Sequence, residues 1–355
     1  MTEQQPVSTS EPVAKRWTTR ELLAWTTNFL KEKNVESPRT LAEMLLSSVL
    51  GCERLRLYME VDRIATPEEL SALRALVVRA GRHEPIQFLL GQWSFHGREF
   101  EVAPCTLIPR PETELLVDDA LRWTREALDR GEFSSAIRCA DVGTGTGCIA
   151  ISYAAAVRGI LKSGGGGCRP LGGPVTKSAP VEALPVIDVS AEERAAQPAL
   201  VLPSQPLTLQ VIASDIVADA IVLAKRNASR HGLEAAIEFR VSDLFNAYKS
   251  DEQFDIILSN PPYIADDEWE GLDANVREYE PATALRGGRD GLDVVKRLLD
   301  CAARRLRVGG LLLIEIGWKQ GDSVKSLAIA SNHWREVSIQ RDGNGNDRFL
   351  RAIRP

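Results

Sequence analysis

Nowhere in its 355 residues does the chain hold an apolar run near the ~18 residues that cross a bilayer. That argues against a membrane-spanning helix. The first fifteen residues are polar, hold Pro6 and Pro12 and lack the apolar stretch of a signal peptide. A disordered tail over residues 1–16 and a cytoplasmic protein are therefore expected. Cysteine is sparse: Cys52, Cys105, Cys139, Cys148, Cys168 and Cys301 include no C-x-x-C pair. Their spacing suits neither a zinc site nor a disulfide framework, so reduced thiols and no metal are expected. A basic excess is also missing. Net charge is −6, and the first ninety residues hold twelve Lys/Arg against twelve Asp/Glu. Phosphate contacts supply much of the affinity of duplex-binding enzymes, so this balance speaks against a nucleic-acid substrate.

What is present is enough apolar material, 44%, to fill a full core, in a chain long enough for two domains. Residues 17–91 read as a small helical domain. Leu22, Leu23, Trp25 and Phe29 recur at helical spacing, as do Leu41, Met44, Leu45 and Val49 after Ser37-Pro38. Thr66-Pro67-Glu68-Glu69 supplies an N-cap and a first-turn proline for a third helix through Leu70, Leu73, Leu76 and Val77. Residues 92–109 alternate like a short hairpin or extended linker. A helix then starts at Pro111 and runs to about Asp129.

From residue 110 to 355 the texture is strand–helix alternation, with strands expected at 137–142, 209–213, 237–241, 254–258 and 311–316. Helices are expected between them, for instance at 217–231 and 292–306. Apolar strands separated by helices indicate an α/β domain whose parallel sheet is covered on both faces. Residues 335–341 and 348–353, joined by Asp342-Gly343-Asn344-Gly345-Asn346, read as a hairpin closing that sheet. Residues 159–206 do not fit. They are rich in glycine, proline, alanine and serine, and helix-to-strand connections are usually ~2–6 residues long. They read as a flexible insertion, with a short strand possible at 186–189.

Asp141-Val142-Gly143-Thr144-Gly145-Thr146-Gly147 follows the first strand of this region and opens a helix at Cys148. Glycines allow a tight turn and close approach of a ligand, and the helix start adds N–H donors, as a nucleotide or dinucleotide site would also require. An acidic residue ~20 positions on is expected to hold a ribose hydroxyl. Asp215 follows Gly147 by 68 residues, and removing the 48 of the insertion leaves 20. Asp215 is thus the ribose candidate. Asp243 and Leu244, after the third strand, are placed to take an adenine edge and face.

The fourth strand runs straight into Asn260-Pro261-Pro262-Tyr263. The prolines remove two backbone donors and fix an extended exit, leaving the Asn260 side chain and nearby carbonyls to face a crevice. An amide nitrogen is a poor nucleophile because its lone pair is delocalised. Two acceptors, Asn260 and the Pro261 carbonyl, could hold both N–H groups of a planar –NH₂ and aim that lone pair at a methyl donor. Pro262 stiffens the exit, Tyr263 can cover a flat substrate, and Asn260 can also touch the donor.

These stretches together resemble the bacterial release-factor glutamine N5-methyltransferases. The resemblance runs from about residue 20 to the C-terminus, the insertion excepted. It is carried by Glu84-Pro85-Ile86 with Leu90-Gly91, by residues 106–114, by the glycine loop, by Asn260-Pro261-Pro262-Tyr263, and by Glu280-Pro281 with Gly287-Gly288. It implies a Rossmann-like methyltransferase domain behind a small helical substrate-recognition domain. The glycine loop and Asp215 would then bind S-adenosylmethionine, and residues 260–263 would hold the glutamine of a Gly-Gly-Gln loop in class 1 peptide-chain release factors. The chain departs from the family at Leu244, where an aromatic residue is frequent, and in its insertion. Residues 110–113 favour release factors over a ribosomal-protein glutamine. A nucleic-acid amino-group methyltransferase, acting on adenine N6 or guanine N2, is the main competing enzyme. A nicotinamide oxidoreductase would leave the Asn-Pro-Pro-Tyr motif unexplained, and a non-catalytic binding module is a further class.

Overall fold

Strand alternation and register set the architecture. The computed structural model describes residues 16–163 and 207–355. Of the expected features, the tail up to residue 15, most of the insertion, its strand at 186–189 and Cys168 lie outside the described residues. The chain divides into two compact units.

One unit comprises the described residues up to Gln92 together with Asp273–Tyr279. Its helices are α1 (Thr19–Glu32), α2 (Pro38–Leu50), the single turn α3 (Arg56–Met59), α4 (Pro67–Ala80) and α5 (Ile86–Leu90). Thr66 caps α4 as its sequence suggests. Its hydroxyl accepts from Glu69 N at 3.3 Å, and the Glu69 carboxylate accepts from Thr66 N at 2.9 Å. Thr18 and Glu21 repeat this reciprocal pair at the start of α1. The core is built on Leu22, Leu23, Leu30, Leu45, Leu46, Leu73 and Val77. Trp25 is the exception to the expected stripe. It is 43% exposed and stacks on Phe29 at 5.5 Å, because Leu30 rather than Trp25 continues the buried face of α1.

The other unit holds a hairpin, β1 (Gln92–Phe95) and β2 (Arg98–Glu101), then α6 (Glu114–Asp129) and a seven-stranded sheet. The sheet strands are β3 (Ala136–Val142), β4 (Thr208–Asp215), β5 (Ile237–Val241), β6 (Phe254–Ser259), β7 (Leu306–Glu315), β8 (Arg335–Arg341) and β9 (Asp347–Ile353). Their order is β5-β4-β3-β6-β7-β9-β8. The first five are parallel, and β9 pairs antiparallel with both β7 and β8. This is the Rossmann-like methyltransferase arrangement.

Period-two alternation buries both faces. Ile137, Cys139, Ile256, Leu258, Leu311 and Leu313 pack with α6 and with α7 (Cys148–Lys162). Ala140, Val142, Ile257, Leu312 and Ile314 face the other way, onto α11 (Asp293–Arg305) and α12 (Gly321–Ala330). In chain order α8 (Ala218–Arg230) and the short α10 (Ala282–Leu285) also belong to this unit, while the short α9 (Ala274–Tyr279) between them belongs to the first. Phe95 and Phe100 of the hairpin are buried in the α6–α7 core.

Two expected boundaries move. Helix α7 runs on to Lys162, so residues 159–162, assigned above to the insertion, are helical. Strand β7 starts at Leu306, five residues before the apolar run suggests. Gly309 and Gly310 sit inside it, where the register slips between Phe254 opposite Leu306 and Ile256 opposite Leu311. The glycine pair marks a bulge, not the end of a helix.

The hairpin is tied to the glycine loop by one fully buried side chain, Asn227 of α8. Its Oδ1 accepts from Glu101 N at 2.8 Å, and its Nδ2 donates to Glu101 O at 3.0 Å and Thr146 O at 2.9 Å. Replacing it with a leucine of similar volume leaves three backbone groups, one buried and two part-buried, without this partner. Asn227→Leu should lower the unfolding free energy by about 2–4 kcal/mol, measured by urea titration. A loss below about 0.5 kcal/mol would mean that water replaces the amide at no cost.

Candidate active site

In an open parallel sheet, ligands bind beyond the carboxyl ends of the strands, where the strand order reverses. Here the chain runs outward from β3 through β4 to β5, then returns to β6 on the other side of β3. The crevice therefore opens between the exits of β3 and β6. Register brings the two motifs together there. Val142 pairs with Ser259, so the glycine loop and Asn260 leave the sheet side by side. The Ser259 hydroxyl donates to Val142 O at 2.6 Å and locks this edge.

A cavity of about 290 Å³ occupies the position. Its walls include Gly143, Thr144, Gly145, Thr146, Asp215, Asp243, Leu244, Asn260, Pro261 and Pro262. Thus ten of the twelve residues singled out in the sequence meet around one space. Gly147 and Tyr263 are not on its wall. Gly147 is the αL residue before α7, with φ 83°, and a Cβ there would lie 3.2 Å from Ala224 Cβ and 3.0 Å from Ile151 Cδ1. Its role is close helix packing. Burial, followed by the Glu315 charge, pushes the Tyr263 phenol pKa up. Its carbonyl accepts from Gln320 Nε2 at 2.8 Å, which holds the end of the motif.

The glycine loop is shaped by carboxylates. Asp141 Oδ2 accepts from Thr144 Oγ1 at 2.6 Å and from Ala150 N at 3.1 Å. Asp215 Oδ2 accepts from Gly145 N and Oδ1 from Val217 N, both at 2.9 Å. Gly143 N and Thr144 N both donate to Ser214 O at 2.8 Å, and Gly147 N donates to Thr144 O at 2.8 Å. The N–H groups of Gly143, Thr144, Gly145 and Gly147 are thus already engaged inside the protein. The expected cradle of free donors is largely absent from the loop. A pyrophosphate needs such donors, whereas an adenosine attached to a cationic sulfonium does not. The arginines on the wall are likewise neutralised: Arg297 pairs with Asp243 at 2.6 Å, Arg286 with Asp266 at 2.7 Å and Arg110 with Glu280 at 2.5 Å.

Each Asp215 oxygen keeps a lone pair for a ribose hydroxyl beyond its backbone bond. Asp243, by contrast, spends one oxygen on Arg297 and lies at the exposed rim. Leu244, held at φ 48°, joins Ile216, Val217 and Val294 as an apolar wall suited to a flat ring. On the opposite side, Asn260 Nδ2 donates to Thr113 Oγ1 at 3.1 Å, while Asn260 Oδ1 is buried with no protein partner. A buried acceptor left open at a cavity wall is unusual in a folded protein. Its natural complement is a ligand N–H.

Known proteins match this architecture along nearly its whole length. A model of the PrmC N-terminal domain matches residues 21–91, and one of the methyltransferase small domain matches residues 199–275. The release factor glutamine methyltransferase of Geobacter sulfurreducens is 36% identical over 94% of this chain and 96% of its own length. Its counterpart in Chlorobaculum tepidum is 34% identical over 96% of this chain and 99% of its own. The one in Rhodopirellula baltica is 33% identical over 94% and 95%. The chain belongs to the release factor glutamine methyltransferases. As a methyltransferase of this family it uses S-adenosylmethionine, which the cation-tolerant, donor-poor cavity fits.

The family motifs gain physical reasons from the structure. Glu280 is buried; its carboxylate accepts from Ile108 N at 3.0 Å and pairs with Arg110. That is why Glu280-Pro281 accompanies residues 106–110: one carboxylate holds the loop that walls the cavity. Gly287 passes so close to the motif that a Cβ would lie 2.7 Å from Pro262 O. Sequence reasoning missed Glu315 and gave Thr113 no role. Nothing local could have found Glu315, which reads as the last residue of an apolar strand. No helix among the described residues is long and apolar enough to cross a membrane. No group of three or more metal-ligating side chains occurs among them.

Burial raises the Asp141 pKa from 3.8 to about 7, against the bonds from Thr144 and Ala150. A carboxyl raised in this way adds stability at low pH, and that stability is lost as pH rises through about 7. Asp141→Asn removes the titration while keeping an acceptor. The stability of the natural chain relative to this variant should fall by about 2–3 kcal/mol between pH 5 and pH 8 in urea titrations. A difference independent of pH would show that Asp141 is ionised throughout.

Proposed function

We propose that this chain methylates the side-chain amide nitrogen, N5, of the glutamine in the Gly-Gly-Gln loop of class 1 peptide-chain release factors. The observation that carries the reading is the unpartnered Asn260 Oδ1 at the switch point, beside a cavity suited to the methyl donor. Family membership supplies the identity of the substrate.

S-adenosylmethionine supplies an electrophilic methyl group on a sulfonium. Everything else is positioning by the chain. Asp215 takes the ribose hydroxyls, and Leu244 with its apolar neighbours covers the adenine. Thr144 and Thr146 line the cavity on the loop side. Asn260 Oδ1 accepts one N–H of the glutamine amide and the Pro261 carbonyl accepts the other. Held by both, the amide group keeps its plane fixed, and the nitrogen lone pair, which stands perpendicular to that plane, is aimed at the methyl group. Positive charge that builds on nitrogen is met by the same two oxygens in a largely desolvated setting. No base is needed before attack: the N–C bond would form as the methyl–sulfur bond breaks, leaving a neutral thioether, and the cationic nitrogen would then lose one proton to water. Pro262 keeps the exit of β6 extended, so the Pro261 carbonyl cannot swing away. The rigid motif and the planar substrate thus share one geometry.

Asn260→Ala should reduce turnover roughly 10²-fold or more while changing methyl-donor affinity far less. The assay is mass spectrometry of an intact release factor, a Gly-Gly-Gln peptide, duplex DNA and structured RNA after incubation with donor. The intact factor should be methylated much faster than the peptide, because contacts remote from the glutamine help to order its loop. A Gln→Glu release factor should gain nothing. Methylation of nucleic acid with none on the release factor would overturn the proposal.

A further inference from the structure

An amide side chain has two ends of similar shape and opposite hydrogen-bonding sense. The proposed chemistry works with only one of them turned to the substrate. If Asn260 presented its –NH₂ to the cavity, it would meet the substrate –NH₂ donor to donor. We infer that Thr113 and Glu315 are positioning residues that fix which end of the Asn260 amide faces the substrate; this rests on the reading of Asn260 given above.

The geometry is a relay. Thr113 Oγ1 donates to Glu315 Oε2 at 2.6 Å and accepts from Asn260 Nδ2 at 3.1 Å. Thr113 is buried at the N-terminal end of α6, and Glu315 is the buried last residue of β7. Register explains the meeting. Ser259 pairs with Ile314, so Asn260, the first residue past β6, comes level with Glu315 at the end of β7. A hydroxyl has a single proton. When Glu315 is ionised it can only accept, so that proton is committed to it. Thr113 then offers Asn260 nothing but lone pairs. Asn260 must answer with Nδ2, and Oδ1 is left facing outward. The same logic explains why Oδ1 has no partner in the protein.

Protonating Glu315 undoes the lock. Its new O–H can donate to Thr113, freeing the threonine proton for Asn260 Oδ1, and the amide can turn over. Burial raises the Glu315 pKa to about 7, so the lock closes as pH rises through that region. The titratable and charged groups around it are Glu112, Arg348, Cys148 and Tyr263. Glu112 lies 3.7 Å from Arg348 at the rim. Burial pushes the Cys148 thiol up to about 12 and the Tyr263 phenol upward, so neither changes charge near pH 7.

The test uses the full-length enzyme and three variants: Thr113→Val, Thr113→Ser and Glu315→Gln. Methyl-donor affinity is measured for each alongside turnover from pH 6 to pH 8.5. Thr113→Val should lower kcat about 10–100-fold with donor affinity within about twofold, and Thr113→Ser should return kcat to within about threefold. For the natural enzyme, kcat should rise about tenfold from pH 6 to pH 8, as for control by one group near pH 7. Glu315→Gln should be slower and flat across that range. Equal impairment of the valine and serine variants would overturn the inference, as would normal turnover in the valine variant. So would a pH rise that survives in Glu315→Gln. If Thr113→Val does not fold, the serine variant and the glutamine pH profile still decide. Ratios are taken on whichever –NH₂ substrate the natural enzyme methylates. Failure on the release factor therefore tests the proposed function, and failure of the ratios tests the relay.

Discussion

The loop after β3 is held between two carboxylates, and the site depends on that clamp. Asp141 reaches forward to Thr144 and Ala150, and Asp215 reaches across from the neighbouring strand to Gly145. Glycines give the loop freedom, and the carboxylates remove it. Because they take the loop's own donors, the site gives up anion binding, the usual use of a glycine-rich turn before a helix. What remains is a largely apolar hollow with the Asp215 carboxylate on its wall. The same backbone motif that would cradle a pyrophosphate is thereby turned towards a cation.

The second half of the site is set by strand order rather than by any loop. With β6 returning beside β3, the Asn-Pro-Pro-Tyr motif and the glycine loop leave adjacent strands. Two prolines then hold Asn260 and its neighbour extended. Support comes from chain far away in sequence. Glu280 fastens residues 108–110, Gln320 fastens the Tyr263 carbonyl, and Asn227 fastens the glycine loop to the hairpin. Each support is a single polar side chain bonded to backbone, and those of Glu280 and Asn227 are buried. Such bonds fix a position without adding bulk to the cavity.

How much of this could be read from the sequence depended on the range of the interaction. Strand β5 and both strands of the closing hairpin fall within a residue of their expected positions, because period-two alternation and the Asp-Gly-Asn-Gly turn are local signals. Asp215 was found through a spacing, once the insertion was subtracted. Local signals failed where tertiary structure used the same residues differently. The strand expected at 311–316 starts at Leu306 and carries Gly309-Gly310 as a bulge within β7, and Trp25 sits at helical spacing yet stacks on the outer face of α1. The loop amides read as free donors and prove occupied. Glu315 was invisible for a deeper reason. Its partner Thr113 lies 202 residues away, and only the parallel register of β6 with β7 brings it to Asn260.

The raised carboxyls join stability to function. Asp141, Asp215 and Glu315 are all pushed upward chiefly by loss of solvent. A fold selected for stability alone would gain from neutral, isosteric side chains at such places, since burying a carboxylate works against folding whenever it ionises. Each of these three stands where a neutral group would make the same hydrogen bonds less well. Asp141 takes both of its donors on one oxygen, which an amide could match in only one of its two orientations, and Asp215 takes a backbone N–H on each oxygen, which an amide could not match in either. Glu315, once ionised, accepts without being able to donate, and a glutamine in its place would leave the threonine proton uncommitted. An acceptor with no alternative donor state is what makes the neighbouring amide point one way. The energetic penalty of the buried charge and the unique orientation of Asn260 therefore have the same origin, and the first cannot be removed without losing the second.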